Sequence, residues 1–294
     1  MKEWIITLGA IIGDIVGSRF EFDDHKSKSF NLFGGDGLIA CPCEFTDDSV
    51  MTVAVADALL HRNEAGSDDG FKRLLIERMH YHGEKRLNAG YGNLFYDWLT
   101  MGKTEPYNSY GNGAAMRVSP VGWVADTLQE TEHIAKLTAE VTHNHPEGIK
   151  GAQAVSAVIW MARHSRTKEE IREYIETSYY PIAFAQTLGE IRSCYEFDAS
   201  CQGTVPIAME AFYEATNFED ALRNAVSVGG DSDTLTDITA AMAEAYYNIP
   251  EWIADCAFRF LDDEMKNIVQ HFKKDFKNHR NKRRVPNKGR GVVL

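Results

Sequence analysis

The chain has 294 residues, 44% hydrophobic and 25% charged, with 31 basic against 43 acidic side chains and a net charge of −12. It is long and apolar enough to bury a substantial core, which excludes disordered, collagen-like and low-complexity classes. The acidic balance excludes a bulk basic face for nucleic acid and argues against a nucleic-acid partner.

The N-terminal apolar run, Trp4 to Gly17, is too short to cross a bilayer, contains Asp14, and follows Glu3 rather than a basic start. Within it Ile5–Leu8 is a weak strand candidate; Val285–Leu294 is the other. Asp47–Asn63 has apolar residues at helical spacing after an acidic first turn. Glu147–His164 is alanine-rich and apolar over much of its circumference, which predicts a central buried helix. Gly203–Ala215, Glu219–Val228, Thr234–Tyr247 and Trp252–Phe260 also read as helices, and prolines 120, 146, 181 and 250 mark boundaries. With no βαβ rhythm, repeat or linker, one all-α domain is the expected architecture. From Lys266 onward the chain holds ten Lys/Arg and one acid, Asp275, so residues 1–265 are expected as the body and 266–294 as a basic extension. Five cysteines (Cys41, Cys43, Cys194, Cys201 and Cys256) include no CxxC pair, and Cys41-Pro-Cys43 reads as a loop. That usage, with no membrane span, suits a reducing cytoplasm.

Two acidic stations carry the chemistry: Phe45-Thr46-Asp47-Asp48-Ser49 and Gly229-Gly230-Asp231-Ser232-Asp233-Thr234, each opening a helix. Taken singly, each is explained by a capped helix start, since aspartate and threonine are good N-caps and carboxylates there gain about 0.3–1 kcal/mol from the dipole. Together they gather four aspartates and two threonines on short loops. Clustered hard oxygens suit Mg²⁺, Mn²⁺ or Ca²⁺, and without a Cys/His cluster they do not suit zinc. If the two stations meet, two divalent cations about 3.5–4 Å apart would relieve the repulsion and make a hydrolytic site. An EF-hand would need a central glycine and a terminal glutamate, which Asp231–Asp237 lacks.

A third station, Gly9–Phe22, has small residues at Gly9, Gly13 and Gly17 that permit close approach, and acids Asp14 and Glu21 in apolar surroundings. Glu21 lies between Phe20 and Phe22, where a raised pKa would suit a general acid or base. In the fourth, Tyr107–Arg117, glycines 111 and 113 let the backbone come close, and Ser109, Tyr110 and the intervening amides can donate to phosphate oxygens. The fifth, Thr142-His143-Asn144-His145-Pro146, could bind metal, but His143 is better read as a hydrogen-bond donor to a ligand.

Taken in order, GAIIGDIVGSRFEF, FTDDSVMTVAVADAL, YGNGAAMRVSPVG, THNHPEGIKGA and VGGDSDTLTDITAAMAEAYY resemble the ADP-ribosylglycohydrolase family, over roughly residues 5 to 250. The resemblance implies a compact, single-domain orthogonal bundle of helices with two Mg²⁺ or Mn²⁺ ions in a cleft. By match to the family's motifs, Thr46, Asp47, Asp48, Asp231, Asp233 and Thr234 would hold the metals, with Asp233 bridging. Glu21 would sit near the scissile bond, Ser109, Tyr110, Gly111, Asn112 and Gly113 would hold the diphosphate and nearby ribose, and His143 would lie beside the ligand. The implied substrate is an ADP-ribosylated protein or small molecule and the product ADP-ribose, with Glu21 or Asp48 activating water. An inactive ADP-ribose-binding module and a metal-dependent nucleotide phosphohydrolase are the alternatives.

Overall fold

A computed structural model of the chain describes residues 7–34, 43–181 and 186–284, with side chains as far as residue 276. Among these residues every regular element is a helix, apart from one isolated antiparallel bridge between Gly111 and Ser200. The all-α class expected from the sequence is what forms.

In chain order the helices are α1 (Leu8–Gly17), α2 (Asp47–Leu60), α3 (Asp68–Glu84), α4 (Asn93–Thr100), α5 (Gly113–Met116), α6 (Ser119–Val124), α7 (Leu128–Glu140) and α8 (Pro146–Arg163). There follow α9 (Lys168–Ser178), α10 (Leu188–Arg192), α11 (Cys201–Glu214), α12 (Phe218–Val226), α13 (Ser232–Tyr246), α14 (Glu251–Phe258) and α15 (Asp263–Arg284). Each helix expected from hydrophobic spacing is present, with its ends moved by a few residues at most. Local caps set several starts. Thr167 and Thr187 open α9 and α10 with full capping boxes, and Ser67, Thr127, Ser200 and Asn217 accept backbone amides at the starts of α3, α7, α11 and α12.

The centre of the bundle is built on α8 and α13. Helix α8 is the expected central buried helix and packs against α5, α6, α7, α9, α11 and α13. Helix α13 is buried over Ser232–Ala243 and lies along α1, α11 and α12. The approach of α1 to α13 is very close, because Gly9, Gly13 and Gly17 recur at four-residue spacing on the contact face. A Cβ built at Gly13 would stand 2.6 Å from Asp237 Cα, and one at Gly17 2.6 Å from Asp233 Cα. Such distances leave room for hydrogen only.

At Leu8, the last residue of the weak strand candidate Ile5–Leu8, the chain is helical. Leu8 opens α1, and Glu244 Oε2 on α13 accepts the Gly9 N–H at 2.9 Å, satisfying a helix-end donor from 235 residues away. Ile5, Ile6, Cys41 and Val285–Leu294 lie outside the described residues. Helix α15 runs through residue 266, with Met265, Val269 and Phe272 in the core and its flank against α2. Cys43, Cys194, Cys201 and Cys256 are free thiols. No described helix is long and apolar enough to cross a membrane.

Candidate active site

The first acidic station is held from behind by a residue that sequence reading had not placed in the site. Thr46 is the N-cap of α2, in extended conformation, with its Oγ1 accepting the Asp48 N–H at 3.4 Å. Asp14, buried on α1, accepts the Thr46 N–H at 2.9 Å, the Thr46 hydroxyl at 2.8 Å, the Ser49 N–H at 3.1 Å and the Ser49 hydroxyl. Burial raises the Asp14 pKa to about 6, and these hydrogen bonds pull it the other way. The sequence signal was an acid inside an apolar, glycine-spaced helix, where an unpaired carboxylate would be costly.

The second station turns sharply before α13. Gly229 and Gly230 both have positive φ, 75° and 72°, and a Cβ at Gly230 would stand 2.7 Å from the Tyr195 ring. Asp231 occupies the N-cap position of α13, yet its side chain caps nothing. Its Oδ2 instead accepts the Asn112 Nδ2–H at 2.7 Å. The N-cap role that its residue type suggests is given up for a place in the site. Asp233 Oδ1 accepts the Thr234 N–H at 2.8 Å.

The two stations meet. Thr234 directs its hydroxyl at Asp48 Oδ2 at 3.4 Å, and Thr46 Oγ1, whose proton goes to Asp14, lies 3.3 Å from the same oxygen. Carboxylate oxygens of Asp14, Asp48 and Asp233 lie within 4.8 Å of one another, as do those of Glu21, Asp231 and Asp233. Asp233 belongs to both groups, and Asp47 lines the same cleft.

The electrostatics follow from crowding acids where water is scarce. Burial, then Asp14, raises Asp47 to about 8. Burial, then Asp231 and Asp14, raises Glu21 to about 7. Asp48 and Asp233 are driven well above the usual carboxylate range, first by burial and then by Asp233 and Asp231 respectively. Asp237, one turn beyond Asp233, is a further buried acid with neither oxygen hydrogen-bonded, and burial drives it up in the same way. Asp48 Oδ1 is buried and has no partner. A compact set of hard oxygens, short of positive charge and with a lone pair unspent, fits a divalent cation of the Mg²⁺ or Mn²⁺ kind.

Above the acids, the Tyr107–Arg117 segment is pinned to the chain before α11. The Asn112 N–H donates to Ala199 O at 2.8 Å and the Cys201 N–H to Tyr110 O at 2.9 Å. Ser109, Gly111, Asn112 and Gly113 line the cleft. The Gly111 and Asn112 amides are already engaged, by Ser109 Oγ at 3.1 Å and by Ala199 O. Tyr110 does not line the cleft; its ring is exposed and packs edge-on against His145 at 5.5 Å. His143 lines the cleft and is buried, and burial and the Arg117 charge hold its pKa well below the usual value, so the ring is neutral. His145 caps α8, its Nδ1 accepting the Glu147 N–H at 3.1 Å. The two histidines of this station therefore serve as a cleft wall and a cap, and neither joins the acidic clusters.

The cleft between these elements has a volume of about 470 Å³. Its floor is acidic, and at its mouth Phe22 and Phe197 lie nearly parallel, 6.1 Å between centroids and 16° apart, both exposed.

A family model described as ADP-ribosylglycohydrolase matches residues 6–282, further along the chain than the motifs reach. The chain is 25% identical to the ADP-ribosylarginine hydrolase Tri1 of Pseudomonas putida, over 85% of this chain and 73% of that protein. It is also 25% identical to the ADP-ribosylhydrolase ARH3 of Gallus gallus, over 84% of this chain and 87% of that protein. Among solved structures it resembles a chain of an ADP-ribosylglycohydrolase-related protein complex, with a TM-score of 0.67 and 22% identity over 91% of this chain and 95% of the other, a likeness of fold.

Proposed function

Because the chain belongs to the ADP-ribosylglycohydrolase family, we propose that it hydrolyses the glycosidic bond between ADP-ribose and an acceptor, with two Mg²⁺ or Mn²⁺ ions held by Thr46, Asp47, Asp48, Asp231, Asp233 and Thr234. The observation that carries this reading is the position of Asp233, whose carboxylate belongs to both oxygen clusters, as a bridging ligand would. Glycosyl-bond hydrolysis is the activity named for the family and for its relatives.

The bond to be cut joins the anomeric carbon of one ribose to a nitrogen or oxygen of the acceptor, and its cleavage passes through an oxocarbenium-like state. Bound cations would neutralise the acidic floor, fix ribose hydroxyls and make water a better nucleophile. Glu21, with a pKa near 7 and a place in the cluster of Asp231 and Asp233, is suited to take a proton from the attacking water. Asp48 is the second carboxylate that could do so. Ser109, Gly111, Asn112 and Gly113, with His143, form the wall against which the diphosphate and the adjoining ribose would lie, and Tyr110 stands outside at the rim.

The test is release of free ADP-ribose, with Mg²⁺ or Mn²⁺ present, from peptides ADP-ribosylated on arginine or on serine. The expected outcome is release by the native protein and none by Asp47→Ala or Asp233→Ala. Tight ADP-ribose binding without release in either metal would make the protein a reader. AMP or inorganic phosphate as product would make it a phosphohydrolase.

A further inference from the structure

Arg117 is among the largest fully buried side chains of the protein, and it faces no carboxylate in hydrogen-bond range among the described residues. Its Nη2 donates to Thr138 O at 3.0 Å and to Thr142 Oγ1 at 2.7 Å, and its Nε has no partner. A buried guanidinium used in this way is costly unless it does something for its neighbours. The neighbour is Thr142, whose Oγ1 lies 2.7 Å from His143 Nδ1.

The direction of each bond in this chain is fixed by counting protons. Arginine can only donate, so Thr142 Oγ1 accepts from Arg117. Thr142 is completely buried, and its hydroxyl proton has one further neighbour able to take it, the lone pair of His143 Nδ1. The reverse arrangement, Nδ1–H donating to Oγ1, would point two donors at one oxygen and strand the hydroxyl proton, at a cost of about 1–3 kcal/mol. A neutral ring that accepts at Nδ1 must carry its proton on Nε2. That atom borders the glycine loop, since a Cβ built at Gly113 would stand 3.1 Å from His143 Nε2. No protein acceptor engages Nε2 among the described residues, and the residue lines the cleft.

We propose that Arg117 and Thr142 are positioning residues that hold His143 as the Nε2–H tautomer, so that its ring presents a hydrogen-bond donor to an oxygen atom of the bound ligand. The tautomer stands on the protein's own hydrogen bonds; only the identity of the oxygen, a phosphate or ribose oxygen of ADP-ribose, rests on the function proposed above. The arrangement provides a neutral donor to the ligand, where an imidazole lone pair would be repelled by the same phosphate oxygens that the loop is to hold.

The experiment reads the ring nitrogens of His143 by ¹⁵N NMR in ligand-free protein, and ADP-ribose affinity by calorimetry with Mg²⁺ present. The native protein should show the Nε2–H pattern. Thr142→Val, which keeps the shape and removes the hydroxyl, should give a mixture of tautomers and weaken ADP-ribose by about tenfold, the order of one lost hydrogen bond. Thr142→Ser should restore both, and Arg117→Met should match Thr142→Val; if Arg117→Met does not fold, the threonine pair decides. An Nδ1–H or doubly protonated ring in the native protein overturns the proposal. So does a Thr142→Val protein that keeps the native tautomer, whatever its affinity. Failure of the native protein to bind ADP-ribose would instead sink the functional reading, while the ligand-free spectrum still decides the tautomer.

Discussion

Thr234 Oγ1 donates to Asp48 Oδ2 at 3.4 Å, and at that contact the first turn of α13 meets the first turn of α2 across 186 residues of sequence. The helix starts converge with their acids inward, so the site crowds carboxyl groups whose ionisation the protein itself does little to balance. Cations, protons and the glycine-tight packing behind the acids then become separate handles on it.

The first handle is pH. Asp14, Glu21 and Asp47 have pKa values raised to about 6, 7 and 8, from 3.8 for the aspartates and 4.5 for the glutamate. The folded protein therefore keeps protons that the unfolded chain has released. Their contribution to stability is complete below about pH 4 and is lost as pH rises toward about 8. Saturating Mn²⁺ should cancel the loss, so the melting-temperature gap between Mn²⁺ and EDTA should widen from about pH 5 to about pH 8. A gap that stays flat across that range would remove the cation from the account.

A second prediction concerns Glu21. Its carboxylate shares a cluster with Asp231 and Asp233, but it sits half-buried at the cleft and its backbone is only the end of a short turn. Glu21→Gln should lower kcat by about 10²-fold or more and change ADP-ribose affinity by less than about threefold. Equal losses in turnover and binding would make Glu21 a ligand-holding residue.

Asp14 supports a third. Asp14→Ala strands the buried amide and hydroxyl of Ser49 and unties the part-buried ones of Thr46, and should cost about 2–4 kcal/mol in chemical denaturation. It should also weaken Mn²⁺ binding, because the loop that presents Asp47 and Asp48 loses its anchor. Asp14→Asn keeps an acceptor and should fall between alanine and the native residue. Native-like Mn²⁺ affinity in Asp14→Ala would show that the first station holds its shape unaided.

The fourth tests the seam between α1 and α13. Gly17→Ala places a methyl against Asp233 Cα, a close contact with backbone that no rotamer relieves. Overpacking of this kind costs about 1–3 kcal/mol and is met by backbone movement. The expected result is a folded protein with Mn²⁺ affinity and turnover both reduced, although no ligand residue has changed. Gly66→Ala, at a glycine with nothing near its Cβ position but φ 69°, is the control that should cost stability without touching the site.

The site was legible where its information is local. Thr46-Asp47-Asp48 and Asp231-Ser232-Asp233-Thr234 read as helix starts because cap chemistry acts within a turn, and Glu21 read as a perturbed acid because Phe20 and Phe22 flank it. Asp14 and Asp237 were harder, since what makes them part of the acid crowd is the packing of α1 against α13 and α2. The Ile5–Leu8 reading failed at Leu8 for the same reason: the helix there is completed by Glu244, on an element that no local window contains. Asp231 shows the converse, a residue of capping type whose side chain a tertiary partner, Asn112, has claimed.

Gly9, Gly13 and Gly17 carry one more consequence, for how lineages of such proteins lose their trade. A gene that drifts need not touch an aspartate to fall silent; one extra methyl on this seam should move the floor from under the acids while every acidic station stays in place. Judging whether a distant cousin still works by spelling out its acidic motifs would then pass a broken copy as sound, and the three glycines are the letters to read beside them.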